Sequence, residues 1–186
     1  ASEAAAVGGV TTLIDMPLQN TPPLTSADAF ANKLAVFEGC SLVDYALWGG
    51  LVTDNTAELA GMDAAGAVGF KAFIAPVSLG YSSVDMGLAR EALFRIKAFG
   101  GLAGFHCEDH ALICAGEAKA KAGGGTRRAF LDSRPVVAEV IATANVIELA
   151  RETGARVHIC HVSHPRVAEL VRRAQADGLS VTGETC

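Results

Sequence analysis

Residues 102–114 read Leu102-Ala-Gly-Phe-His106-Cys-Glu-Asp-His110-Ala-Leu-Ile-Cys114. The first part is a short apolar run. The second opens on Asp109 and continues in good helix formers, so a strand feeds a helix, with His106, Cys107 and Glu108 at the junction. The same pattern repeats on both sides. Strands are expected at Val10–Met16, Leu42–Leu51, Gly69–Ala75, Leu102–Cys107, Arg156–Ser163 and Ser180–Cys186. Helices are expected between them at Ser26–Glu38, Asn55–Ala65, Asp85–Phe99, Ala111–Ala122, Pro135–Thr153 and Pro165–Ala176. Ser26 or Thr25 can cap its helix, and Pro135 and Pro165 suit a first turn. Gly39, Gly66, Gly100, Gly154 and Gly178 each follow a helical run, as helix-ending glycines do.

Alternating strands and helices, with the strands apolar throughout, give an α/β fold: a parallel sheet with helices outside. An open doubly wound sheet would place a phosphate loop after its first strand, yet neither GxGxxG nor GxxxxGK[ST] occurs there. The polar residues separate the two architectures better. Asp15, His106–Glu108, His161–Ser163 and Glu184 fall at C-terminal strand ends, which converge on one mouth in a (β/α)₈ barrel. Six strands are two short of closure, and a whole barrel takes roughly 250 residues. Ala1 starts inside a helical pattern and Cys186 stops at a strand end, so the expectation is a piece of a longer chain. Residues 1–186 then form a single incomplete barrel domain; Gly123–Gly125 is a turn within a helix-to-helix excursion, not a linker.

Composition excludes other classes. The 186 residues carry 15 Lys+Arg against 20 Asp+Glu, a net charge of −5, which leaves no basic surplus for a nucleic acid. Mean hydropathy is high, at +0.33, but the richest stretch, Leu42–Val52, is short and carries Asp44, so no membrane span is expected. The five cysteines, Cys40, Cys107, Cys114, Cys160 and Cys186, are odd in number and show no CxxC. That points to a reducing compartment, hence the cytoplasm, and no signal peptide is evident.

Three places could carry chemistry. Lys71 lies mid-strand in Gly69-Phe-Lys-Ala-Phe73. A buried ammonium is costly, so Lys71 is either a snorkelling side chain or a functional amine: a Schiff-base nucleophile, or a carbamate able to bridge two cations. His106 ends its strand, where imidazole suits a metal, although lone core histidines are as common. Glu108 and Asp109 read as first-turn acids. In His158-Ile-Cys-His161-Val-Ser-His164, residues three apart on a regular strand face opposite ways. One of His158 and His161 is therefore expected on the barrel axis; His161 is preferred, with His158 under a helix and His164 exposed at a helix start.

Taken together these segments resemble the cyclic amidohydrolases of the amidohydrolase superfamily: allantoinases, hydantoinases (dihydropyrimidinases) and dihydroorotases. The resemblance covers essentially all 186 residues. It rests on Gly9-Val-Thr-Thr-Leu-Ile-Asp-Met-Pro17, Gly69–Phe73, His106-Cys-Glu108, Ser133-Arg-Pro135 with Glu139, Ile159-Cys-His-Val-Ser163 and Gly183-Glu-Thr-Cys186. Met16-Pro-Leu18, Leu47-Trp-Gly-Gly50 and His106–Cys114 look like the allantoinase versions. The tyrosine that hydantoinases carry five residues after the lysine is Pro76 here, and the loop Pro76–Val84 matches no subgroup well.

The resemblance implies a distorted (β/α)₈ barrel, of which this chain supplies strands 2–7. It implies metal-dependent opening of a cyclic amide, allantoin to allantoate, with a hydantoinase/dihydropyrimidinase activity or a catalytically inactive scaffold as alternatives. Lys71 corresponds to the carboxylated lysine between two divalent ions, zinc first among them, then manganese, cobalt or nickel. His106 and His161 correspond to ligands of the more buried ion. The family's His-x-His would precede Ala1 and its general-base Asp would follow Cys186, leaving no catalytic acid or base in this stretch and an inactive isolated piece. A small cyclic ureide is the implied partner and a homotetramer the implied assembly. A Schiff-base barrel enzyme is the remaining alternative, and it leaves His106 and His161 unexplained.

Overall fold

The computed structural model describes residues 1–18, 20–77 and 81–186. Part of the loop read above at Pro76–Val84 lies outside the described residues. In chain order the elements are α1 (Ser2–Val7), β1 (Thr12–Asp15), α2 (Ala27–Glu38), β2 (Asp44–Leu47), β3 (Gly49–Gly50), α3 (Leu59–Ala64), β4 (Phe70–Phe73) and α4 (Met86–Ala98). They continue as β5 (Leu102–His106), α5 (His110–Ala122), α6 (Arg127–Asp132), α7 (Val136–Thr153), β6 (Arg156–Ile159), α8 (Pro165–Ala176) and β7 (Val181–Gly183). Every strand pair is parallel. Among the described residues the ladders run β1-β2 and β3-β4-β5-β6-β7, in sequence order and without the reversal of a doubly wound sheet.

The expected strand Leu42–Leu51 is divided at Trp48. Asp44–Leu47 pairs with β1, and Trp48 N still donates to Asp15 O at 2.9 Å. From Gly49 onward the pairing passes to β4, with Gly49 N donating to Gly69 O at 2.9 Å. One extended stretch thus bonds first to one neighbour and then to the other, the stagger that barrel walls require. The Trp48 indole lies over Gly104: a Cβ there would come within 2.6 Å of the ring.

Phe70, Ala72, Ala103, Phe105, Val157, Ile159 and Val181 alternate onto one face of the sheet and are buried against Leu93 and Ile96 of α4, Val146 of α7 and Val167 of α8. Lys71, Gly104, His158 and Thr182 stand in register on the opposite face. Helix starts follow local chemistry. Ser26, Asp85, Asp109 and Thr126 side chains accept from Ala29, Leu88, Leu112 and Ala129 backbone N–H groups. Helix α6, capped by Thr126, occupies the excursion that the sequence reading left without an element. Helix α3 starts at Leu59 rather than Asn55, because the Asn55 side chain is engaged with Val52 N, Gly50 O and Thr25 O.

Candidate metal centre

Lys71 is fixed by β4 with 3% exposure. Its Nζ lies 4.4 Å from the centre of the Phe73 ring and 3.4 Å from Ala72 O, and the Cys160 thiol is its side-chain partner. No carboxylate among its described hydrogen-bond partners neutralises it, and burial lowers its pKa from the usual lysine value. The Tyr81 hydroxyl donates to Lys71 O at 2.5 Å, tying the following loop to this strand position.

His106 closes β5 and stacks on Phe73, with ring centres 5.0 Å apart. Its Nδ1 is 3.0 Å from His161 Nε2, and its Nε2 is 2.7 Å from Glu108 Oε2. Glu108 is held in turn by Arg134 Nη1 at 2.6 Å, while Arg134 Nη2 reaches Glu117 at 3.0 Å. Burial opposes ionisation of Glu108, but the hydrogen bonds and charges of His106 and Arg134 outweigh it and keep its pKa below the usual value. A ring that donates Nε2–H to this carboxylate has Nδ1 as the atom left for a metal, the arrangement that metal-bound histidines use. His161 is half-buried, and burial first, then the neighbouring His106 and Lys71, lower its pKa, favouring the neutral ring a cation needs.

His161 reaches His106 by leaving the strand. Its φ is +42°, in the left-handed region that non-glycine residues rarely occupy. Strand alternation therefore stops before His161. Glu139 fixes the next turn, accepting from Ser163 N at 2.9 Å and from Ser163 Oγ at 2.5 Å.

The placement of His158 corrects the sequence reading. It is not under a helix: it shares the Lys71 face, its Nδ1 lies 2.8 Å from Thr182 Oγ1, and its Nε2 lies 3.6 Å from Glu184 Oε2. The alternation rule placed His158 and His161 on opposite sides only for a strand extending through both. His164 caps α8, its Nδ1 accepting from Arg166 N at 3.2 Å. Asp15 ends β1 and meets Lys33 Nζ at 3.4 Å. The Glu108–Arg134 support was missed because Glu108 was read as a helix-start acid; Arg134, twenty-six residues away, is brought to it by α6.

A cavity of about 360 Å³ opens onto His106, His161, Glu108, Arg134, Phe73 and Ser163. A larger one, about 800 Å³, lies beside the start of α4 and the α5–α7 side, with Ser83, Asp109 and Asn145 in its wall. The smaller cavity holds the paired imidazoles and is the chemically equipped one. His106 and His161 bring two imidazole nitrogens together, and Lys71 is near enough to help lower the pKa of His161; nitrogen donors of this kind fit divalent cations.

No protein-family model matches the chain. Among curated proteins, the chain is 38% identical over 187 residues to an allantoinase of Streptomyces avermitilis, covering 100% of this chain and 41% of that protein. It is 39% identical over 186 residues to an L-hydantoinase of Paenarthrobacter aurescens, covering 99% of this chain and 40% of that protein. Among solved structures, L-hydantoinase (dihydropyrimidinase) from Arthrobacter aurescens superposes with a TM-score of 0.94 at 39% identity, over 99% of this chain and 41% of that one. A D-hydantoinase superposes with a TM-score of 0.87 at 30% identity, over 100% of this chain and 41% of that one. The chain thus spans about two fifths of the length of the relatives it matches.

Proposed function

We infer, from matches that span essentially all of this chain and about two fifths of each relative, that the chain belongs to the cyclic amidohydrolase family, and we propose that the protein carrying it opens a cyclic ureide, allantoin to allantoate. The observation that carries this reading is the meeting of His106 Nδ1 and His161 Nε2 at 3.0 Å, one ending β5 and the other just past β6, with Lys71 buried in the neighbouring parallel strand β4. Divalent cations bound there would lower the pKa of water and polarise an amide carbonyl.

The chain's own residues prepare that chemistry. Glu108 pairs with His106 Nε2, and His106 first, then Arg134, hold its pKa below the usual carboxylate value. Burial favours the neutral amine of Lys71. A neutral amine can add to carbon dioxide: its nitrogen forms a bond to carbon, one proton leaves to solvent, and an anionic carbamate with two oxygens results. We assign that modification to Lys71, because two nearby cations repel and need an anion between them. His-x-His and general-base elements are expected outside these 186 residues, and zinc is the first expectation for the metal. A homotetramer is expected from the resemblance, and a cytoplasmic setting from the odd number of cysteines without CxxC. Among the described residues no helix is long and apolar enough to cross a membrane.

A hydantoinase is the second reading, favoured by the L-hydantoinase relative and by the TM-score of 0.94. Pro76 at the position of the expected tyrosine favours allantoin. Turnover of allantoin and of 5-substituted hydantoins by the full-length protein separates the two. The mechanism is tested with Lys71→Ala: activity and metal content should fall together, and short carboxylic acids plus metal should restore part of both. Full activity after chelation, with borohydride trapping of substrate on Lys71, would sink it.

A further inference from the structure

We propose that His158, Cys160 and Glu184 form a further binding site for a zinc-like divalent cation, on the same face as Lys71. Their donor atoms, an imidazole nitrogen, a thiol sulfur and a carboxylate oxygen, all lie within 4.8 Å of one another. In a tetrahedral zinc site, bond lengths of about 2.0–2.3 Å put such donors about 3.3–3.8 Å apart. His158 Nε2 and Glu184 Oε2 are already at 3.6 Å. Closing the trio asks for a shift of about 1.5 Å at most, and Glu184 can supply much of it, since its side chain is exposed beyond the end of β7.

The surroundings are those of a ligand set rather than of a chance cluster. His158 Nδ1 is engaged by Thr182 Oγ1 at 2.8 Å, which turns Nε2 toward Glu184. Histidines that bind metals are oriented in this way through the nitrogen that does not bind. The backbone fixes the spacing. His158 and Cys160 are two apart and so share a face, and Glu184 N donates to Ile159 O at 3.1 Å, clamping its segment beside them. Thiolate with imidazole and carboxylate favours zinc or cobalt over magnesium or calcium. Coordination releases the Cys160 proton to solvent, and three protein ligands leave a fourth position for water. The cation would also draw Cys160 away from Lys71, which now has it as a side-chain partner.

The site stands apart from the proposed hydrolytic centre in its chemistry, because Lys71, His106 and His161 offer no sulfur. That difference is the test. The full-length protein, with exposed Cys40, Cys114 and Cys186 replaced by alanine, is stripped of metal and titrated with Co²⁺ under argon. The proposal expects a thiolate-to-cobalt charge-transfer band. The band should be lost in Cys160→Ser and retained in Cys107→Ser. Cobalt affinity read at the band should fall at least tenfold in His158→Ala and in Glu184→Gln. Absence of the band from the starting protein, its survival in Cys160→Ser, or indifference to both other variants would overturn the site. Failure of the hydrolytic reading leaves the band untouched, and failure of the band leaves Lys71, His106 and His161 untouched.

Discussion

At the scale of single residues, Lys71 and Glu108 carry opposite electrostatic problems. Lys71 is buried with its pKa lowered, so between that lowered value and the ordinary 10.5 the unfolded chain binds more protons than the folded one. Its burial therefore costs stability below that window, and the cost fades as pH rises toward and past 10.5. In metal-free protein, Lys71→Met should be more stable at neutral pH by about 1–3 kcal/mol, the range for an ill-matched buried polar group. Denaturant melts from pH 7 to pH 10.5 should show that gap shrinking; a gap constant with pH would mean that Lys71 is not charged in the unfolded reference or is paired in the fold. Glu108 is matched on both sides, by His106 and Arg134. Glu108→Gln can still bond to His106 but no longer stabilises the ring electrostatically. Divalent-ion affinity at the His106–His161 pair should fall about 10- to 100-fold, measured by competition with a chelating dye. An unchanged affinity would reduce Glu108 to a helix-start acid.

Among the elements, helix starts and buried strand faces were legible because each depends on neighbours in sequence. Ser26 caps α2 through a residue three positions on, and Phe70 and Ala72 face the helices by simple alternation. What was not legible depended on partners far along the chain. The Leu42–Leu51 run reads as one strand until the pairing on each edge shows where it changes neighbour. Alternation misplaced His158 because it assumed an extended backbone through His161, whose φ of +42° no local composition announces. Helix α6 is short and preceded by three glycines, and it becomes meaningful when Arg134 reaches Glu108. It is also pressed against α5: a Cβ at Gly116 would lie 2.3 Å from Ser133 O, a backbone atom. Gly116→Ala must move the α5–α6 contact, and we expect a loss of about 1–3 kcal/mol. Because Arg134 follows Ser133 directly, the same variant should weaken the hold of Arg134 on Glu108, so metal affinity should fall with stability. Thermal melts and metal titration of one preparation check both.

Over the whole molecule, what matters is how many donors one stretch of a barrel wall can bring to a mouth. The resemblance gives two cations, and each needs about four ligands counting water. Lys71, His106 and His161 are three donors from three strands, and the chain has no histidine before His106 from which a His-x-His pair could come. The acids in the wall of the cavity that holds the paired imidazoles already have partners: Glu108 with His106 and Arg134, Glu139 with Ser163. Neither is placed to take a proton from water and return it to a leaving nitrogen. The 186 residues made alone should therefore bind a divalent ion through His106 and His161 more weakly than the full-length protein does, and should open neither allantoin nor hydantoins. Adding the remainder of the protein in trans should restore turnover only if its barrel strands bring the missing ligands and the general base to the same mouth. Release of allantoate from allantoin, followed against the full-length enzyme at equal molar concentration, reads this directly. Turnover by the isolated chain that disappears in His106→Ala would mean that the general base lies within these residues after all.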